Sequence, residues 1–195
     1  RVGPGHRRAR PDRCHNGPVV EVRTVHTADL DTATLAAARA LLDEAFGGDF
    51  RDHDWDHTLG GVHALVWEGD ELVGHGAVVQ RRLLYGGRAV RTGYVEGVGV
   101  RADRRGRGLG AAVMTALERV VAAGYELGAL SSTGPATGFY LARGWRRWQG
   151  PTWALTPAGV VRTAQDDGSV FVLPVSGTWD LSRPLTCDWR DGDLW

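Results

Sequence analysis

The chain has 195 residues and equal numbers of basic and acidic side chains, 23 of each, so its formal net charge is zero. All the cations are arginine, and with no net positive charge the chain lacks the footprint of a general nucleic-acid binder. The length suits one domain burying about 70% of its unfolded surface, and no apolar run approaches the ~18 to 20 residues of a membrane span.

Cys14 and Cys187 are too few for a disulfide framework and fit a reducing cytosol. No apolar leader opens the sequence, so a cytoplasmic location is expected. Residues 1–18 carry five arginines among Gly, Pro and His with almost nothing apolar to bury, which predicts a disordered basic tail ahead of a domain over residues 19–195. A basic arm for nucleic acid or anionic lipid is the alternative reading of the tail.

Val19 to Val25 alternates as a short strand. Asp31 is placed to cap a helix whose Leu35, Ala38, Leu42, Ala45 and Phe46 recur at helical spacing, and Gly47-Gly48 ends it. The loop that follows, Asp49 to His57, concentrates four carboxylates, two histidines and two aromatics. It reads as a substrate wall, as a metal site through His53 and His57, or as a solvated capped loop; no Glu completes a zinc-peptidase pattern. His63 to Glu68, Leu72 to Gln80 and Leu83 to Tyr85 are predicted antiparallel strands, with hairpin signals at Gly69-Asp70 and Gly86-Gly87. The last pairs onward into Ala89 to Val100. His75 lies among small apolar residues and reads as a core or edge histidine.

The stretch from Tyr94 to Ala111 organises the rest. Its strand half alternates, placing Tyr94, Glu96, Val98 and Val100 on one face and Gly93, Gly97 and Gly99 on the other. Three glycines on one face predict a bulge or a close approach by backbone or ligand, and a ligand is expected. In the loop half, Gly106, Gly108 and Gly110 let backbone amides converge at a helix N-terminus, with Arg104, Arg105 and Arg107 adding charge, which suits a pyrophosphate. Residues 106–111 also fit the loose G-x-G-x-x-A dinucleotide pattern, but no acid closes a second strand about 20 residues on.

Leu109, Val113, Leu117, Val120 and Val121 form the apolar face of the next helix, which ends near Gly124, and Leu127 to Ser132 is a strand. Strand, crossover helix and strand make a parallel pair with a site beyond the carboxyl ends, where Ser131 and Ser132 lie. Pro135 opens a helix bearing Tyr140 and Gly144 closes it. Trp145, Trp148 and Trp153 follow, then a strand from Val170 to Val175 and an acidic, aromatic end from Cys187 to Trp195.

Arg105-x-x-Gly108-x-Gly110 after a Val-x-Val strand resembles the acetyl-coenzyme A loop of the Gcn5-related N-acetyltransferase superfamily, and Gly138-Phe-Tyr140-Leu-Ala-Arg-Gly144-Trp145 resembles its tyrosine helix. Asp49-Phe50, Asp54-Trp55, the run from His57 to Gly61, that from Gly93 to Gly97, that from Leu127 to Ser132 and Cys187-Asp-Trp-Arg190 are similar to the aminoglycoside 2'-N-acetyltransferases of mycobacteria and relatives. The resemblance runs from about Val19 to Trp195. It implies an α+β fold: one domain, a mostly antiparallel mixed sheet with a splayed parallel strand pair and flanking helices. It also implies a homodimer; from the residues themselves no metal and no membrane partner is expected.

The same resemblance implies direct transfer of acetyl from acetyl-coenzyme A to the 2'-amine of an aminoglycoside, conferring antibiotic resistance. Glu96 is the implied base, directly or through water, and Tyr140 the acid for the departing thiolate. Val98, Gly99, Val100, Arg105, Gly106, Arg107, Gly108, Leu109 and Gly110 would hold the cofactor. Asp49, Asp54, Glu96, Gly97, Ser131, Asp166, Asp193 and Trp195 would line the acceptor pocket, where acids suit ammonium groups and aromatic faces suit sugar rings. Two alternatives stay open: the same chemistry on a cellular amine or cell-wall amino sugar, and an acyl-coenzyme A sensor without turnover.

Overall fold

The structure is a computed structural model and describes residues 19–195; the basic tail expected for residues 1–18 lies outside the described residues. Ten strands form one sheet. β1 (Val20–His26), β2 (Val62–Glu68), β3 (Glu71–Tyr85) and β4 (Arg88–Val100) run antiparallel in sequence. β4 then pairs in parallel with β5 (Leu127–Ser131), which pairs antiparallel with β9 (Val170–Pro174), itself paired with the two-residue β6 (Arg146–Arg147). On the other side of β3, the far end pairs with β10 (Leu185–Cys187), followed by β7 (Thr152–Thr156) and β8 (Gly159–Arg162). The mixed, mostly antiparallel sheet with β4 and β5 as a parallel pair is the architecture expected; a second parallel pair, β10 with β7, was not.

Three differences from the sequence reading have local causes. The two strands expected at Leu72 to Gln80 and Leu83 to Tyr85 are one continuous β3, because Arg81 and Arg82 keep pairing with Thr92 and Arg91 across the hairpin. The polar loop after Gly48 contains a five-residue helix, α2 (Asp52–Asp56), started when the Asp54 carboxylate accepts the Arg51 N–H at 2.8 Å. The β7–β8 hairpin was not foreseen; Arg162 ties it together by donating to Thr152 O at 2.8 Å and pairing with Asp167.

α1 (Thr32–Ala45) begins where the Asp31 side chain accepts the Thr34 N–H at 2.7 Å. It stops at Gly47 and Gly48, both at positive φ, with the Gly48 N–H closing on Asp43 O at 3.0 Å. Its buried residues are Ala38, Leu41 and Leu42, whereas the expected core residue Phe46 is exposed and stacks on Phe50 with centroids 5.3 Å apart. α3 (Leu109–Gly124) buries Leu109, Val113, Met114, Leu117 and Val121 against the other face, each apolar side chain contributing roughly 1.5–3 kcal/mol. Close packing there requires Gly76, where a Cβ would fall 2.7 Å from Val113 Cγ1 and 2.9 Å from Leu117 Cδ1. α4 (Ala136–Ala142) carries Tyr140 into the same apolar cluster as α3. Among the described residues no helix is long and apolar enough to cross a membrane.

The feature that positions the site is a bulge in β4. His75 pairs with Gly99 and Ala77 with Glu96, so Gly76 alone opposes both Gly97 and Val98. Gly97 takes the extra residue at φ +55, where a Cβ would meet Thr58 Cγ2 at 2.8 Å. The alternation therefore breaks at that point. Val98 and Val100 pack with the α3 cluster, whereas Glu96 lies with Tyr94 on the opposite face, beside Arg190. The expectation that Glu96, Val98 and Val100 share a face is thereby corrected. So is the shared glycine face: Gly93 abuts Tyr125, while Gly97 and Gly99 abut α1 through Leu42, and the close approach is by protein side chains.

Candidate active site

β4 and β5 pair only over Thr92–Tyr94 and Leu127–Ala129, after which β5 follows β9. Beyond Tyr94 the edge of β4 that faced β5 has no strand partner among the described residues. A cleft of about 550 Å³ opens in that splay. Val95, Glu96, Gly97 and Val98 line it from one strand, and Leu130 and Ser131 from the other. Asp49 and Asp54 close one side, Tyr140 the helical side, and Asp166, Asp193 and Trp195 the remainder. All the expected acceptor-pocket residues and both expected proton carriers thus meet in one cavity, drawn from six separate segments of the chain.

Of the expected cofactor residues only Val98 reaches that cavity. Gly99 and Val100 continue β4 toward the loop ahead of α3, where Leu109 is a buried core residue. In that loop Gly106 and Gly108 sit at φ +75 and +81 with no atom within 4 Å of a Cβ position, so the backbone is open to an approaching group. The Ala112 N–H begins the internal bonding of α3, to Gly108 O at 3.0 Å; the amides of residues 106–111 have no acceptor among the described residues. The arginines are already engaged. Arg104 pairs with Glu68, Glu71 and Asp103, and Arg107 with Glu68. Among the described residues Arg105 donates only to neutral carbonyls, Ala45 O at 2.9 Å and Val100 O at 3.3 Å, and no acid there cancels its charge. Free amides, a helix N-terminus and that charge fit a pyrophosphate group.

Glu96 is 15% exposed, and burial raises its carboxyl pKa against the opposing pull of Arg190. Arg190 Nη1 donates to Glu96 Oε1 and Arg190 Nε to Asp193 O at 2.7 Å. Both Arg190 and the buried Arg81 lie over the Tyr94 ring, at 5.4 and 4.6 Å from its centroid. Burial pushes the Tyr140 hydroxyl up to about 12, so it is protonated at neutral pH and can donate. Asp166 is raised by burial and by the neighbouring Asp193, a sign that negative charge is crowded there. Ser131 Oγ donates to Ser169 Oγ at 3.1 Å.

The segment after β10 is fixed over the cleft by contacts that composition does not reveal. Trp195 is buried and donates its indole N–H to Thr163 Oγ1 at 3.0 Å. His57 Nε2 meets Asp191 O at 2.8 Å, and burial together with the Arg190 charge lowers the His57 pKa. Gly192, at φ +74, lies directly against the His53 ring. Arg190 and Phe46 were not foreseen as site residues, whereas His57 belongs to the loop read as a substrate wall. For Arg190 the available signal was a lone cation among Asp188, Asp191 and Asp193.

Behind the bulge runs a buried hydrogen-bonded chain. His75 Nδ1 donates to Gly97 O at 2.8 Å, His63 Nδ1 to His75 Nε2 at 2.9 Å, and Thr27 Oγ1 meets His63 Nε2 at 2.7 Å, the tautomers following from the carbonyl at one end. Both rings are fully buried, and burial lowers both to about 4, so they are neutral near pH 7.

The family described as acetyltransferase (GNAT) domain matches residues 22–148. An aminoglycoside 2'-N-acetyltransferase of Mycolicibacterium fortuitum is 55% identical over 177 residues, 89% of this chain and 91% of that protein. The structure of a GCN5-related N-acetyltransferase from Kribbella flavida superposes with a TM-score of 0.54 at 25% identity over 68% of this chain, which spans only 34% of that longer protein. A GNAT family acetyltransferase from Brucella melitensis, solved in complex with acetyl-CoA, superposes with a TM-score of 0.53 at 17% identity, over 80% of this chain and 96% of that one.

Proposed function

Because the chain belongs to the GNAT acetyltransferase family, in the branch that holds the Mycolicibacterium fortuitum enzyme, we propose that it transfers acetyl from acetyl-CoA to the 2'-amine of aminoglycosides. The observation that carries the reading is the meeting of Glu96 and Tyr140 with Asp49, Asp54, Asp166 and Asp193 in one cleft between splayed β4 and β5. Acetyl-CoA supplies an activated thioester. The chain's residues do the rest. Amides of residues 106–111 and the Arg105 charge hold the pyrophosphate, and the unpaired edge of β4 after Tyr94 accepts the extended arm as an added strand. The Val98 N–H, on a residue that lines the cleft, is assigned to hold the thioester carbonyl oxygen.

Asp49, Asp54, Asp166 and Asp193 hold the ammonium groups of a polycationic sugar, and Trp195 supports a ring face. Glu96 takes the proton of the attacking ammonium, directly or through water, and the Tyr140 hydroxyl returns one to the departing thiolate sulfur. N-acetylation turns a cationic amine into a neutral amide, removing a charge the drug uses to bind, and so confers resistance. The reaction is assigned to the cytosol, where acetyl-CoA is made, and the chain to a homodimer, as the family resemblance implies. Light scattering on a sizing column checks the dimer: a mass near twice 21.1 kDa is expected for the sequence given, and a mass near 21.1 kDa contradicts it.

A thiol-release assay with acetyl-CoA tests the acceptor. Gentamicin and tobramycin are expected to turn over with kcat/KM at least about a hundredfold above glucosamine and other single-amine cell-wall sugars, since each extra ammonium–carboxylate contact adds order 1 kcal/mol. Equal or better turnover of the single-amine sugars assigns the enzyme to cell-wall chemistry. Cofactor binding without turnover of any amine identifies a sensor.

A further inference from the structure

Among the residues lining the cleft, Arg190 is the one guanidinium, set amid Asp49, Asp54, Asp166 and Asp193. A cleft built to attract ammonium groups is a poor place for a fixed cation, so its presence needs a cause. The contacts supply one. Arg190 is only 13% exposed and its Nη1 holds Glu96 Oε1, while no donor among the described residues reaches Oε2. Nε is tied to Asp193 O, and the planar head lies over the Tyr94 ring. The guanidinium is therefore locked on three sides and engages one oxygen of the carboxylate rather than both.

Resting on the reading of Glu96 as the base, we propose that Arg190 is its positioning residue: it keeps the largely buried carboxylate ionised, leaves Oε2 for the acceptor, and fixes Asp193 to the base. The electrostatics of the surroundings agree. Burial raises the Glu96 pKa, Asp54 across the cleft raises it further, and Arg190 and Arg81 oppose both. Asp193 belongs to the same segment as Arg190, and His57 lines the same wall. Of these groups only Arg190 bonds the carboxylate itself. Without it, a buried carboxyl beside an acid wall holds its proton and cannot accept another from the acceptor. A guanidinium spanning both oxygens would hold the charge but block the acceptor's approach.

The test is a carbon-13 titration of protein labelled at the glutamate carboxyl carbon, with no acceptor or cofactor added, the Glu96 signal assigned by its loss in Glu96→Gln. In wild type Glu96 is expected to be ionised at pH 7. In Arg190→Met, whose stem still covers Tyr94, its midpoint is expected to rise by at least about one pH unit, and in Arg190→Lys by less than half as much. With tobramycin, the acid limb of kcat/KM is expected to move by the same amounts. A wild-type Glu96 protonated at pH 7, an unmoved midpoint in folded Arg190→Met, or Arg190→Lys matching Arg190→Met would each overturn the proposal. Should Arg190→Met not fold, the wild-type and Arg190→Lys titrations decide it. Absence of tobramycin turnover in wild type defeats the substrate reading alone, because the titration needs no substrate.

Discussion

In the proposed reaction two side chains carry the chemistry, and each is expected to fail in its own way when replaced. Glu96→Gln keeps a similar shape and the Arg190 contact but removes the base, so kcat/KM is expected to fall by about 10²-fold or more, read by thiol release. An unchanged value would place the base elsewhere. Tyr140→Phe leaves the apolar packing against Trp145 and Phe171 and deletes the hydroxyl, so kcat is expected to drop on the order of tenfold or more while acetyl-CoA still binds. That both residues line the cleft was legible through the family resemblance, which rests on local motifs, a Val-x-Val strand and a Tyr-bearing helix before Gly-Trp. Arg190 was not, since its partner Glu96 is 94 residues away and its own neighbours are aspartates that read as its natural pairs.

The β4 bulge sets the aim of the whole site. Strand periodicity alone put Glu96 and Val98 together, and one extra residue at Gly97 parts them, sending the carboxylate toward the C-terminal segment and the valines toward α3. The glycines announced that something irregular happens here. Which residue absorbs it depends on the partner strand, where Gly76 opposes two residues, and that pairing is not a local signal. Gly97→Val meets Thr58 and Leu42 and demands positive φ of a branched side chain, so a loss of roughly 2 kcal/mol or more is expected in urea unfolding. Gly108→Ala differs, because no atom lies within 4 Å of the added methyl. Its expected cost in stability is only about 1–2 kcal/mol for left-handed backbone, but the KM for acetyl-CoA is expected to rise, because the methyl intrudes where the loop amides would meet the pyrophosphate. A KM equal to wild type would move the cofactor off this loop. The elements of residues 20–142 were largely readable because caps, glycine stops and periodic faces agree with one another. The β7–β8 hairpin escaped notice because its strands are short, and β10 because it is short and its partners β3 and β7 lie far away in sequence.

At the scale of the molecule, the folded state depends on keeping two buried histidines neutral. His63 and His75 are lowered to about 4, against about 6.5 in an unfolded chain, so on acidification the unfolded state binds protons first. Stability is expected to be complete above about pH 6.5 and to fall as pH drops from there toward 4, followed in urea midpoints. A His75→Phe variant is expected to be less stable at pH 7 yet to show a shallower slope in that window; an equal slope would mean that other groups govern it. Asp167, held well below the ordinary range chiefly by Arg162, loses its contribution only at lower pH. The histidine chain joins the turn after β1, β2 and β3 to the Gly97 carbonyl, so the same acid window should disorder the bulge and with it the acceptor site. The most direct test of the central claim uses two sugars that differ at one group, kanamycin B with an amine at C2' and kanamycin A with a hydroxyl there. Acetyl-CoA-dependent thiol release is expected with kanamycin B, with NMR placing the new acetyl on the 2'-nitrogen, and kcat/KM for kanamycin A is expected to be lower by about 10³-fold or more, because an ammonium-binding cleft gains nothing from a hydroxyl. Comparable turnover of the two, or acetyl found on any other nitrogen of kanamycin B, would contradict it.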